Sequence, residues 1–384
     1  MAIDFSAGVP AVQLTNGQRT SMGLTPVGED WEWGRFPGDS GTPETEYWAA
    51  FQGEVLCRAL IISPCTYEER ELEERTTDNR TKILPRSGRG KPKYISLRDL
   101  ERRPLGMHLR FWGNQRQLFL EHIPSQRTYY DAALDRDGVP WDLSGFLDWA
   151  ARWEAETTQT DREELSALLQ SKKKKFAYQE GDFFRFPMGR REFGYGRILQ
   201  DVRAWKKAEK PFWDALQGDR PLLVMPYRVL TRDPNLTPEE LRKLPALPSF
   251  YMEDLPLAAG EYPIVGHLPL EEGEADHVIR YGKAVPWREA PAVIFQCGPV
   301  FRELEGAQPP PHCGRFQHWG VQGRMFTTRE LLAQCVAQRS SGPYCREHWN
   351  DLRSRAFRPE LEAGCAQLGL TVEETESVQE YDCT

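Results

Sequence analysis

Six cysteine and histidine residues near the C-terminal end of the sequence are the first candidates for chemistry. They are His312, Cys313, His318, Cys335, Cys345 and His348. Zinc takes four nitrogen or sulfur ligands in a tetrahedron, and Cys345-x-x-His348 has ligand-like spacing. The second Cys-x-x-Cys or His-x3-5-His pair of the usual zinc motifs is absent, and Cys335 lies among apolar residues, where a free thiol packs as a small hydrophobe. We therefore expect no metal site.

Signatures of nucleophilic or phosphate-transfer catalysis are also absent from the sequence. It contains no Gly-x-Ser-x-Gly elbow, no cysteine-protease signature and no Gly-x-x-x-x-Gly-Lys-Ser/Thr loop. His108 and His122 fall on the two strands of a predicted hairpin. They are either a two-histidine site of the ribonuclease kind or ordinary strand histidines, and we favour the second interpretation. We predict no catalytic residues, no cofactor and a protein that is not an enzyme.

A basic run occupies residues 80–103, where Asp99 and Glu101 are the only carboxylates among many Lys and Arg residues. The run is either a contact for phosphate or another acidic surface, or a solvated loop. We favour the solvated loop.

An acidic stretch follows in the second half, because residues 251–276 contain carboxylates and no Lys or Arg. Such a stretch either solubilises the surface or meets a basic partner, and charge complementarity speeds association and rejects wrong partners. Aromatic side chains near it would supply anchoring contacts. The predicted partner-binding residues are Tyr251, Glu253, Asp254, Glu271, Glu272, Glu274, Asp276, Tyr281 and Trp287.

Composition limits the class of protein. A chain of 384 residues suggests two domains or one large one, and a net charge of −8 argues against nucleic acid as the partner. The N-terminus lacks the basic and apolar regions of a signal peptide, and no apolar run approaches the ~18–20 residues of a membrane helix. The eight Cys are scattered and fit reduced thiols. We expect a cytoplasmic protein without a membrane contact.

Short strands and helices must position these residues. In the first half the patterns predict a strand at 54–62, the start of a helix at 68–75, a hairpin at 105–123 around Gly113-Asn114, and helices at 143–153 and 161–169. In the second half they predict a hairpin of strands 183–186 and 193–199, followed by a helix at 238–244 with Thr237 at its N-cap. Two strands are predicted within 249–270, joined near Gly260, and one more at 291–301. Helices are predicted at 328–338 and 347–368. Gly194 and Gly196 share one face of their strand, which would let a backbone or a ligand come close.

Three segments resemble one known family. Residues 181–199, GDFFRFPMGRREFGYGRIL, resemble the opening hairpin of the Immunity protein 26 family, whose members neutralise toxins of polymorphic toxin systems. PLLVMPYRVL, residues 221–230, is similar to the family's next hydrophobic strand. GEYPIVGHLPL, residues 260–270, is similar to its Gly-x-Trp-x-Ile-Ile-Gly-x-Leu-Pro-Leu segment, with Tyr262 in place of Trp and Val265 in place of Ile.

The resemblance implies an α+β domain on an antiparallel sheet at residues 171–305. We expect an N-terminal arm at 1–44, a second α+β module at 45–170 and a C-terminal helical segment at 306–384. The resemblance also implies that the protein binds one cognate toxin, with a nuclease as one candidate, and occludes the active site of that toxin. The acidic stretch would then be the contact with the toxin.

An alternative interpretation places activity in the N-terminal half. The protein would then be an enzyme or would contact nucleic acid, with the immunity-like domain as regulator or adaptor. A cleft that gathers His108, His122 and the basic run would favour this alternative. A third interpretation is a scaffold, which an exposed apolar patch would mark. The identity of the toxin and the oligomeric state stay open at this point.

Overall fold

The computed structural model describes residues 3–38, 44–86, 90–135, 138–205, 219–246 and 249–271, the backbone of three further strands between 279 and 304, and some single positions that include Glu274. The chain divides into two compact units, Met1–Lys174 and Lys175–Thr384. Both contain helices and antiparallel sheets, which confirms the predicted α+β class. The helix predicted at 328–338 lies outside the described residues. Of the helix predicted at 347–368, only single positions between Pro359 and Ala366 are described, and these are helical.

The first unit contains a seven-stranded antiparallel sheet and a two-stranded ribbon. Its strands are β1 (Glu32–Phe36), β2 (Glu46–Gln52), β3 (Val55–Ser63), β4 (Thr66–Arg75), β5 (Lys82–Ile83), β6 (Lys93–Tyr94), β7 (Met107–Trp112), β8 (Gln117–His122) and β9 (Arg127–Asp131). Its helices are α1 (Asn16–Ser21), α2 (Leu97–Leu100), α3 (Leu143–Glu156) and α4 (Gln159–Leu169). The large sheet has the order β1-β2-β3-β4-β7-β8-β9, and β5 pairs with β6.

Helix α3 covers one face of the large sheet. The Asp142 carboxylate caps its first turn by accepting a hydrogen bond from the backbone amide of Gly145. The apolar spacing predicted one stripe of Phe146, Leu147, Ala150 and Trp153; of these, Leu147 is half-buried and the other three are buried. The Phe146 ring stacks on Tyr67 and Phe111 with centroids 4.9 and 5.0 Å apart. The 3.6-residue spacing of apolar side chains therefore predicted this contact correctly.

The residues before 45 are part of this unit. Leu14, Met22 and Trp33 are buried in the core under the helices. Strand β1 pairs with β2 along its whole length, and the Trp153 indole donates a hydrogen bond to the Ser21 carbonyl at 2.9 Å. The segment expected to form an arm thus supplies an edge strand and core side chains.

The prediction that a helix starts at residues 68–75 was wrong, because these residues lie in strand β4. Its sequence, TYEERELEER, offers the opposite charges that would also support a helix. In the strand, Tyr67 and Glu69 point to one face and Glu68 and Arg70 to the other. Each face meets complementary charges from other segments, so tertiary contacts override the local preference.

A buried ion-pair network fixes the centre of β4. Glu69 is fully buried; it accepts hydrogen bonds from the Arg58 guanidinium, from Arg19 Nε at 2.8 Å and from the Tyr67 hydroxyl at 2.8 Å. Burial disfavours the charged carboxylate, but the two arginines outweigh it and lower the Glu69 pKa. Each charge is therefore held in the core by its partners.

The predicted hairpin at 105–123 is confirmed by β7 and β8, and the predicted strand at 54–62 by β3. The basic run forms the β5–β6 ribbon and α2, apart from residues 87–89, which lie outside the described residues.

The second unit contains a five-stranded and a three-stranded antiparallel sheet. Its strands are β10 (Asp182–Pro187), β11 (Phe193–Asp201), β12 (Pro221–Pro226), β13 (Phe250–Glu253), β14 (Ile264–His267), β15 (Ile279–Lys283), β16 (Val293–Cys297) and β17 (Val300–Leu304). The sheet orders are β13-β12-β11-β10-β14 and β15-β16-β17. Two short helices, α5 (Pro238–Leu241) and α6 (Leu255–Ala258), are described here.

The predicted elements of this unit are largely confirmed. The opening hairpin is β10 and β11, and Thr237 caps α5 with Glu240 completing a capping box. The two strands expected within 249–270 are β13 and β14, at opposite edges of the sheet with α6 between them. The single strand expected at 291–301 is instead the pair β16 and β17.

The two strand glycines make room for aromatic rings of the neighbouring strand. A Cβ on Gly194 would lie 2.3 Å from Phe186 Cζ, and one on Gly196 would lie 2.5 Å from Phe184 Cζ. The close approach expected at this face is therefore made by the protein's own side chains. Both phenylalanines are buried in the core of this sheet.

We predict that Glu69→Gln destabilises the first unit by about 3–5 kcal/mol, because it keeps the shape and leaves two buried arginines with a neutral partner. Chemical denaturation followed by tryptophan fluorescence measures the change. Glu73→Gln, on an exposed position of the same strand, is the control and should change stability by less than about 0.5 kcal/mol. Equal stability of both variants would show that the buried pair contributes nothing.

Candidate partner-binding site

The hairpin β10–β11 places a buried arginine behind the segment that follows β14. Arg197 is 0 % exposed, and its guanidinium lies over the Phe183 ring, 4.6 Å from the centroid. It donates hydrogen bonds to the carbonyls of Leu268 and Pro269 at 2.8 and 3.0 Å, and to Glu274 Oε1 at 2.9 Å. The planar guanidinium can hold several acceptors at once, so it fixes the course of this segment.

Two carboxylates and a second arginine form an acidic corner, which we define as Glu271, Glu274 and Arg242. Arg242 Nε donates to Glu274 Oε1 at 2.9 Å, and its Nη2 lies 2.6 Å from Glu271 Oε2. Glu274 also accepts the Glu271 backbone amide at 2.6 Å. Burial raises the pKa of Glu274, but this amide and Arg197 outweigh burial and lower it. Glu271 has the most exposed side chain of the corner, with 70 % of its surface accessible to solvent.

Three of the predicted contact residues are committed to internal interactions. Tyr251 is 1 % exposed, and Asp254 is buried, with the Tyr178 hydroxyl donating to its Oδ2 at 2.6 Å. Glu253 accepts the backbone amides of Asp219 and Arg220 at 3.0 and 3.2 Å. Tyr251 and Asp254 therefore do not present a surface to a partner.

The other predicted contacts are described in part. Tyr281 lies in β15, of which the structure describes the backbone, and Glu272, Asp276 and Trp287 lie outside the described residues. The structure therefore brings Glu271 and Glu274 together, which were predicted as contacts on charge alone.

Sequence reasoning missed the arginines that meet the acidic stretch. Arg197, Arg220 and Arg242 come from other segments, and Arg220 Nη1 lies 3.7 Å from Asp254 Oδ2. Arg197 was visible as the arginine of the Gly-Tyr-Gly-Arg strand, but nothing in the sequence assigned it to Glu274. The acidic stretch is thus less negative in the folded protein than its composition indicates.

The two histidines of the first unit do not form a common site. His122 shares the helix-covered face of the sheet with Leu118 and Leu120, and its Nδ1 lies 2.8 Å from the Ser125 hydroxyl. His108 alternates with the core residues Met107 and Leu109 and so points to the opposite face. A two-histidine ribonuclease-like mechanism is therefore excluded at this pair.

His108 instead belongs to a compact charged cluster on Glu68. The carboxylate Oε1 of Glu68 lies 2.7 Å from His108 Nε2, 2.6 Å from Arg70 Nη2 and 3.2 Å from Arg110 Nε. Burial opposes ionisation, but the hydrogen bond from His108 and the charges of the two arginines outweigh it and lower the Glu68 pKa to about 2.

No group of three or more potential metal ligands occurs among the residues that the structure describes. The six cysteines and histidines between 312 and 348 lie outside that part of the chain. Within the described residues, no helix is long and apolar enough to cross a membrane.

The sheet and hairpin at the start of the second unit define an α+β domain of the kind that the resemblance implied. Residues 179–284 match the model of one family, Immunity protein 26. This match confirms the family suggested by the three sequence segments and places the buried Arg197, the acidic corner and the five-stranded sheet within the matched region. The comparisons with curated proteins and with solved structures give no match.

We predict that Arg197→Lys loosens the segment after β14, because a lysine ammonium cannot reproduce the forked contacts of the guanidinium. Hydrogen exchange at the amides of Leu268 and Glu271 should accelerate, with a stability loss of about 2 kcal/mol. Arg220→Lys, at a half-exposed position with a 3.7 Å ion pair, is the control. Unchanged exchange in Arg197→Lys would contradict the assigned role of Arg197.

We predict that the stability contribution of Glu68 disappears in acid. A carboxyl whose pKa is lowered by folding stabilises the protein above its unfolded pKa of about 4.5 and loses this effect as the pH falls towards about 2. The unfolding free energies of wild type and Glu68→Gln should differ by up to the order of 3 kcal/mol at pH 6 and converge near pH 2. For the exposed Glu164→Gln the difference should be small at every pH. A Glu68→Gln difference that is independent of pH would refute this account.

Proposed function

We propose that this protein is an immunity protein that binds one cognate toxin of a polymorphic toxin system and neutralises it without catalysis. The observation that carries the proposal is the match of residues 179–284 to the Immunity protein 26 family, on a region that folds as a complete five-stranded sheet. Such a protein acts through its surface, so it needs a preformed contact area more than a catalytic group.

The acidic corner supports a specific mode of binding. Arg197 holds Glu274 and the carbonyls before it, so little conformational freedom would be lost when a partner docks there. Glu271 is 70 % exposed, whereas its partner Arg242 is half-buried. A cation of a toxin can therefore meet the solvent-facing side of the Glu271 carboxylate while the pair with Arg242 stays in place.

A basic cleft on the toxin is the surface that this corner fits. Nuclease toxins need cations to bind phosphates, and an acidic inhibitor can occupy the same cleft in place of nucleic acid. We propose that the toxin is a nuclease, that its active site is occluded and that the complex forms in the cytoplasm of the cell that makes the immunity protein. Glu272, Asp276, Tyr281 and Trp287 remain part of the proposed contact by their nearness in sequence.

Co-expression with the toxin gene from the same locus tests the proposal. We expect the tagged full-length protein to retain the toxin through purification and to restore growth. Glu271→Lys should weaken binding roughly tenfold or more, because like charges then face each other. Glu164→Lys, an exposed change in the first unit, is the matched control and should bind as wild type does.

The outcomes separate the function from the contact surface. If Glu271→Lys binds and protects as well as wild type, the acidic corner is not the contact and the immunity function stands. If the wild-type protein retains no toxin and restores no growth, the immunity function is refuted.

A further inference from the structure

A basic groove crosses the first unit at a place that the proposed function does not use. Its volume is about 780 Å³, and its charged lining residues are Glu74, Arg86, Arg102, Arg103 and Lys173. Four of these residues carry a positive charge and one carries a negative charge. The groove therefore attracts anions even though the whole chain is acidic.

The single carboxylate of the groove orients two of its arginines. Glu74 is buried; its Oε1 accepts Arg86 Nη2 at 2.5 Å and its Oε2 lies 3.1 Å from Arg102 Nη1. Arg102 is also held by Asp99, with Nη2 2.7 Å from Oδ1. The side chains of Arg86 and Arg102 remain 75 % and 37 % exposed, so both guanidinium groups still face solvent. Glu74 and Asp99 thus fix the positions of Arg86 and Arg102 and balance their charges. The net positive charge of the groove therefore comes from Arg103 and Lys173.

The other two cations are uncommitted. Within the part of the chain that the structure describes, the side chains of Arg103 and Lys173 are exposed and have no ion pair or hydrogen bond. Backbone hydrogen bonds nevertheless fix the main chain at or next to both residues. The amide of Lys173 donates to the Pro124 carbonyl at 3.0 Å, and the amide of Leu105, next to Arg103, donates to the Glu71 carbonyl at 3.0 Å.

The walls between these cations are apolar. Pro104 and Leu105 lie on one connection and Ile123 and Pro124 on another, and Leu105 leaves 44 % of its surface exposed. A hydrogen bond from the Ile123 amide to the Gly106 carbonyl, 3.1 Å long, joins the two connections. Apolar walls with a few oriented charged groups, in a volume of this size, are typical of small-molecule sites.

We propose that this groove binds a small organic phosphate of the size of a nucleoside diphosphate. Guanidinium forks match the oxygen geometry of phosphate, and charge-assisted hydrogen bonds are the strong ones. Arg86 and Arg102 would donate hydrogen bonds to the phosphate oxygens, and Arg103 and Lys173 would add further charged contacts to these oxygens. The organic part of the ligand would pack against the apolar walls.

The test uses the full-length protein with two probes, adenosine 5′-diphosphate and inorganic pyrophosphate, in isothermal titration at low salt. We expect both to bind, with adenosine 5′-diphosphate the tighter one because it also contacts the walls. The double variant Arg103→Ala with Lys173→Ala should weaken binding at least about tenfold. The double variant Arg98→Ala with Lys172→Ala removes the same charge at exposed positions outside the groove and should bind as wild type does.

Circular dichroism melting of both double variants checks that each is folded, which we expect since all four side chains are exposed. Binding that is equal in the two double variants would overturn the proposal, as would no binding of either probe by the wild type. A single-stranded oligonucleotide is the third ligand tested. If it binds in the groove while adenosine 5′-diphosphate does not, the groove serves a polymer and the proposal of a small organic phosphate is refuted. None of these outcomes bears on toxin binding by the second unit.

Discussion

A guanidinium that is removed from water must be matched by carboxylates or carbonyls, and among the described residues each unit contains at least one such arginine. Arg58 in the first unit meets Glu69, and Arg197 in the second meets Glu274 and two backbone carbonyls. Leaving either partner alone in the core would cost several kcal/mol. The positions of these arginines therefore decide which carboxylates are internal and which remain for a partner.

The same constraint divides the acidic stretch into two parts. Asp254 and Glu253 stabilise the sheet edge by bonding to Tyr178 and to the backbone at 219–220, whereas Glu271 stays exposed beside Arg242. Negative charge in a sequence is thus a poor measure of negative surface. The proposed toxin contact is a small, rigid corner, and its rigidity comes from Arg197 behind it.

In the first unit, strand β4 also carries carboxylates that are paired with arginines. Glu68 and Glu69 sit next to each other on β4 and face opposite sides of the sheet, where each is surrounded by cations. Further along the strand, the buried Glu74 also pairs with two arginines, but these arginines remain partly exposed. A carboxylate that pairs with two arginines stabilises the core when the arginines are enclosed, and it orients a basic groove when the arginines reach solvent.

The sequence by itself determined most of the described local elements of the second unit and the family that residues 179–284 resemble. The strand patterns at 183–186 and 193–199 predicted β10 and β11, Thr237 at the N-cap predicted α5, and three segments in the right order resembled the family that residues 179–284 match. Tertiary structure decided what local pattern leaves ambiguous. TYEERELEER satisfies charge pairing as a helix or as a strand, and distant Arg58, Arg19 and His108 selected the strand. The two histidines of β7 and β8 are close in sequence, but strand register separates them by the thickness of the sheet. Which arginine meets which carboxylate depends on segments far apart in the chain, and no local spacing encodes it.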